Sequence, residues 1–121
     1  MSSDVCFFIY EDKELEKRIE RIGVGHLGVL HYFGFDTLGK LGDCIGYRSQ
    51  ISEELIARMK IIIRHAHSSI LIDKQLSEEE FSNCYGYCGP SGIEWDYIIT
   101  EAEVESSLKD YIGKYIHLSW D

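Results

Sequence analysis

No part of this sequence stays apolar for long. The longest run without a charged residue, residues 22–35, has 14 positions and contains two histidines and four glycines. That is short of the ~20 apolar residues a helix needs to cross a bilayer. A secretion leader is not expected either. The first apolar run, Val5 to Tyr10, is six residues long and follows Asp4 with no basic segment before it, which is the pattern of a strand. Cysteine is sparse: Cys6, Cys44, Cys84 and Cys88 are too few and too irregular for a disulfide framework. Reduced thiols and a cytoplasmic location are the expectation. Basic residues are missing from one long stretch, with no Lys or Arg between Lys74 and Lys109.

Twenty-one acids against twelve Lys and Arg leave a net charge of −9 on 121 residues. This balance argues against nucleic acid as a direct ligand, because binding to a phosphate backbone needs a basic footprint. It also disfavours an anionic membrane surface. A hydrophobic fraction of 45% is too high for a disordered chain. The charge is unevenly placed. Residues 1–72 carry ten acids and nine bases, while residues 73–121 carry eleven acids and three bases. Inside the base-free stretch lie Glu78, Glu79, Glu80, Glu94, Asp96, Glu101, Glu103 and Glu105. Such a run serves either as a solvated face or as a surface that steers and docks a basic partner.

The pattern predicts one compact domain over residues 1–121. Its fold class is α/β, with α+β as the variant: a small mixed sheet of three to five strands flanked by helices. Val5 to Tyr10 is apolar on both faces, as in a mid-sheet strand. Leu15, Ile19 and Ile22 fall at helical spacing, with acids leading and Arg18 and Arg21 trailing, so a helix is predicted over Glu11 to Ile22, stopped by Gly23. Leu27 to Phe33 reads as a second strand, and Asp36 to Ile45 is weakened as a helix by its glycines. Ser52 is a candidate N-cap for a helix from about 53 to 66, striped by Leu55, Ile56, Met59, Ile63 and Ala66. Ser69 to Ile72 is predicted as a short strand. Ser77 to Glu80 matches a capping box for a short helix, and Gly86 to Gly92 reads as a loop. Ile93 to Ile99 alternates as a strand with one wet face. Thr100 to Glu103 matches a second capping box, before a helix striped by Val104, Leu108, Ile112 and Tyr115. Gly113 ends it, and Ile116, Leu118 and Trp120 alternate as a last strand, a βαβ-like close.

Several residue sets invite a chemical reading. Gly23 to Gly28 fits G-x-G-x-x-G, but a helix is predicted before it and a strand after it, the reverse of a dinucleotide site, so a helix-to-strand turn is the simpler reading. Cys84 and Cys88 lie four apart on a glycine-rich segment, where they could chelate zinc together with His65 and His67. On an extended segment those two imidazoles point the same way, and on a helix they diverge. Glu94 and Asp96 share a strand face and could form an acid–base pair, although a solvated face explains them equally. Tyr85 and Tyr87, with Trp95 and Tyr97, lie among the acids, as in a desolvated hot spot with a charged rim. No catalytic set is convincing, so an enzyme is not expected, and neither is a cofactor.

Tyr32-Phe33-Gly34, Leu38, Leu41 and Asp43-Cys44-Ile45 resemble, with one inserted residue, the tyrosine-tyrosine-glycine to leucine-tryptophan-aspartate-cysteine-leucine segment of barstar-like ribonuclease inhibitors. The strand-then-helix opening and helix-then-strand close run parallel to that family. Gly39 and Gly42 stand where the family has an acid and a tryptophan, and residues 46–92 do not follow it. The resemblance implies an inhibitor that plugs the basic active site of a nuclease, with Tyr32 and Asp43 carrying over by position. The expectation is therefore a small acidic protein that neutralises a basic partner, most specifically as the immunity protein of a bacterial nuclease toxin. Its expected docking residues are Glu94, Asp96, Glu101, Glu103, Glu105, Asp43, Tyr32, Tyr85 and Tyr87. The alternatives are a Cys/His enzyme or zinc protein using Cys84, Cys88, His65 and His67, and a structural or adaptor subunit.

Overall fold

The computed structural model describes residues 4–26, 45–74 and 98–120. These residues form a four-stranded sheet and two helices, and every strand pairing among them is antiparallel. The strands are β1 (Asp4–Tyr10), β2 (Arg18–His26), β3 (Arg48–Gln50) and β4 (Tyr115–Trp120), in the spatial order β2-β1-β4-β3. The helices are α1 (Glu53–Lys74) and α2 (Glu101–Leu108).

Strand β1 sits in mid-sheet, as its two-faced apolar sequence requires, and Val5, Cys6, Phe7, Phe8 and Ile9 are all buried. Its odd residues face the helices. Phe7 lies between Ile22 of β2 and Leu118 of β4, and Ile9 lies beside Ile116. Val5, Phe7 and Ile9 form one buried cluster with Leu55, Ile56, Met59, Ile62, Ile63 and Ala66 of α1, Val104 and Leu108 of α2, and Ile116 and Leu118 of β4. The even residues of β1 point the other way, where the Arg18 guanidinium lies 5.2 Å from the centroid of the Phe8 ring.

The helix predicted over Glu11 to Ile22 is instead a β-hairpin. The Glu11 N–H donates to the Lys17 carbonyl at 2.9 Å, and the Asp12 carboxylate accepts the N–H groups of Glu16 (3.0 Å) and Lys17 (2.8 Å). An aspartate that satisfies the backbone of its own turn competes directly with helix formation. Those two N–H donors hold the Asp12 carboxyl below its ordinary range, Lys17 contributing most. Leu15 is in the left-handed region, with φ 58°. Among the described residues the predicted strand-then-helix opening is therefore strand, turn and strand. Gly23 also does not stop a helix, and the Gly23 to Gly25 stretch is not a helix-to-strand turn. Cys6 pairs with Gly23 while Val5 pairs with Gly25, so Val24 is the extra residue of a β-bulge. The Val24 carbonyl accepts the N–H of Ile99 at 2.7 Å, and Gly25 forms a bridge with Ile98.

Ser52 caps α1 as expected, its Oγ accepting the Leu55 N–H at 3.1 Å. The stripe of five residues predicted for this helix is buried, joined by Ile62. The helix does not end near 66. It runs to Lys74, because no glycine or proline interrupts it, and so takes in the segment Ser69 to Ile72 predicted as a strand.

Thr100 closes the predicted capping box. Its Oγ1 accepts the Glu103 N–H at 3.1 Å, and the Glu103 carboxylate accepts the Thr100 N–H at 3.2 Å. Helix α2 is shorter than its stripe suggested. It tightens after Leu108 into a 3₁₀ turn, Lys109–Tyr111, and Gly113 reverses the chain at φ 95°. Ile112 is consequently 46% exposed, and Tyr115 belongs to β4. The reason is tertiary. The Gly113 N–H donates to the Ile51 carbonyl, and the Ile51 N–H to the Lys114 carbonyl, so this backbone pairs with the chain leaving β3 rather than continuing a helix. No helix among the described residues is long and apolar enough to cross a membrane.

Candidate functional site

Of the acids given to a partner by the sequence, Glu101, Glu103 and Glu105 are described, and all three lie on α2. Glu101 and Glu105 are one turn apart and meet two cations one turn apart on α1. Arg64 donates from Nε to both Glu101 oxygens at 3.1 Å and from Nη2 to Oε1 at 2.7 Å. Lys60 Nζ lies 3.5 Å from Glu105 Oε1. The Arg64 hydrogen bonds hold the Glu101 carboxyl below the usual carboxylate range, with lesser help from Lys60 and His67. Glu103 folds back into the helix cap. All three α2 acids thus have partners within the chain, and the Glu105 side chain, paired with Lys60, keeps 59% exposure. Glu94, Asp96, Asp43, Tyr32, Tyr85 and Tyr87 lie outside the described residues, as do Cys84 and Cys88, the predicted strand 27–33 and the capping box at 77–80.

His65 and His67 are both on α1, so a separation of two residues turns their rings roughly 200° apart. His67 Nε2 lies 2.9 Å from the Ile99 carbonyl oxygen, which ties α1 to the segment entering α2. The convergent histidine pair that a zinc set would need is therefore not formed. Among the described residues, no group of three or more His, Cys, Asp or Glu is placed to hold a metal.

Charge is divided between the described and remaining residues. The described ones hold thirteen acids and eleven Lys and Arg, and the others hold eight acids and one Lys. Most of the acidic excess is thus carried by the segments from which Glu94 and Asp96 come. Two open clefts on the described surface differ in charge. One, of about 210 Å³, lies between β2 and the end of α2 and is lined by Glu20, Ile22, Ser106, Ser107, Asp110 and Tyr111. The other, of about 380 Å³, lies between the β1–β2 turn and the ends of β3 and β4, and its walls include Lys13, Arg48 and Tyr115. Sequence reasoning missed both clefts. They join residues far apart in the chain, and no local pattern marks such contacts.

His117 faces away from the helices and is paired across the strands with Arg48. Burial first, and the Arg48 charge second, lower its pKa from the ordinary 6.5. A folded state that disfavours the imidazolium is most stable above pH 6.5, and it loses that advantage as pH falls from there through the folded-state value. Urea midpoints measured at about pH 7.5 and about pH 5.5 are expected to drop further for the native chain than for His117→Gln. Equal drops would show that His117 contributes nothing to the pH dependence.

The chain was compared with protein-family models, curated proteins and solved structures, and none of them matches.

Proposed function

We propose that this chain is an acidic binding protein that docks and neutralises a basic protein partner, in its most specific form a bacterial nuclease toxin. The observation that carries the reading is the stretch between Lys74 and Lys109, with eight acids and no base. A partner whose active site holds phosphate with Lys and Arg presents the complementary charge, and occlusion of that site needs no chemistry from the inhibitor. The α2 geometry sharpens which acids are available. Glu101 and Glu103 act inside the chain, so Glu94, Asp96 and the exposed Glu105 are the docking carboxylates, with Asp43, Tyr32, Tyr85 and Tyr87 as the remaining contacts. The cleft holding Glu20 and Asp110 offers a further seat for a cationic side chain.

The test is titration of the full chain against a panel of basic nuclease domains, with nuclease activity as the readout at low and high salt. At least one nuclease is expected to be inhibited at stoichiometric ratio, with a salt-sensitive association rate. The combined change Glu94→Lys, Asp96→Lys and Glu105→Lys should then weaken inhibition by about 100-fold or more. Inhibition untouched by that triple reversal, or no inhibition across the panel, would overturn the proposal.

A further inference from the structure

The larger cleft is a cationic site on an acidic protein. Lys13 comes from the β1–β2 turn and Arg48 from β3, and among the described residues neither has an ion-pair partner. In a chain of net charge −9, two cations line one cleft with no carboxylate among its described lining residues. Two acids of the turn are otherwise engaged: Glu11 pairs with Lys114, and Asp12 holds the turn backbone. Glu14 and Glu16, also on this turn, do not line the cleft.

The walls are fixed in advance. The Glu11–Lys114 pair ties the turn to the residue preceding Tyr115, and the Gln50 amide donates to the Gly113 carbonyl at 3.0 Å, tying β3 to the same strand entry. Leu15 lines the cleft in a left-handed conformation that a branched side chain rarely adopts. Strain of this kind persists only where surrounding contacts over-determine it, and it concentrates where ligands are clamped. Leu15 and Tyr115 are the apolar and aromatic members of the lining.

We propose that this cleft binds a small phosphate monoester bearing a ring, of nucleoside monophosphate size. The planar Arg48 fork takes two phosphate oxygens, and Lys13 supplies the second charge from the β1–β2 turn. The ring lies against Leu15 and Tyr115. A volume of about 380 Å³ suits a ligand of that size and lies near the lower end for small-molecule sites. The proposal uses none of the acidic residues of the proposed docking function and stands or falls without them.

Isothermal titration of the full chain with adenosine monophosphate, inorganic phosphate and adenosine tests this directly. Adenosine monophosphate is expected to bind most tightly, and Lys13→Gln with Arg48→Gln to weaken it by about 10-fold or more. Lys109→Gln, outside the cleft, should leave it unchanged. Amide shifts at Lys13, Arg48 and Tyr115 would place the ligand, with circular dichroism confirming that the variants fold. Absence of binding at about 10 mM, equal binding by the double variant, or inorganic phosphate binding as tightly as the monophosphate would each overturn the proposal.

Discussion

Replacing Phe7 with alanine is expected to destabilise the protein by about 3–5 kcal/mol, the range for emptying a fully packed aromatic site. Phe7 is completely buried in the central strand, on the face that meets both helices, with Ile22 and Leu118 beside it on the neighbouring strands. No rearrangement of one neighbour can fill the void, because the buried cluster holding Phe7 draws on both ends of the described chain. In urea the midpoint should fall with an unchanged slope, and thermal unfolding should shift down by more than about 8 °C. Phe8→Ala is the internal comparison. Phe8 is almost as buried but faces the other way, under the Arg18 side chain, outside the main cluster. A larger loss from Phe8→Ala than from Phe7→Ala would reverse the assignment of the two faces.

Ile63→Asp should be more severe. Ile63 is 1% exposed on the α1 stripe, so the change removes a packed side chain and asks a carboxylate to enter an apolar cluster with no cation inside it. A cost above about 4 kcal/mol is expected, a large share of the 5–15 kcal/mol that holds a typical domain together. The next residue gives the contrast. Arg64 is exposed and binds Glu101 across the seam, and ion pairs of that kind contribute little and are screened by salt. Arg64→Ala should therefore leave the circular-dichroism spectrum intact and the urea midpoint nearly unmoved. If Ile63→Asp folds as well as Arg64→Ala, α1 does not pack on the sheet by this face.

Some of these elements could be read from the chain and others could not, for reasons that differ by residue. The two-faced apolar run of β1, the Ser52 and Thr100 caps and the alternation of Ile116 and Leu118 are local signals, and each appears where its chemistry puts it. Residues 11–22 misled because Leu15, Ile19 and Ile22 satisfy a helical period while Ile22 and Val24 also satisfy a bulged strand. Pairing with β1 and the Asp12 turn decide between the two, and neither is visible in a local window. The same holds for the far end of α2, where Ile51 captures the backbone that the apolar spacing would have kept helical. Among the candidate site residues, the carboxylates of α2 were legible as charge. Their engagement with Lys60 and Arg64 was not, since it depends on one helix being laid beside another.

The neighbours of β1 differ in when they become available. β2 follows it after one short turn, whereas β4, with Trp120 opposite Val5, is the last described element to be made. During synthesis the hairpin can form early, but its apolar face and the free edge of β1 wait until residues 115–120 have emerged. Closing so long a loop is entropically slow, and an uncovered edge strand is a template for wrong pairing. Until β4 arrives, that edge is open to pairing with another chain.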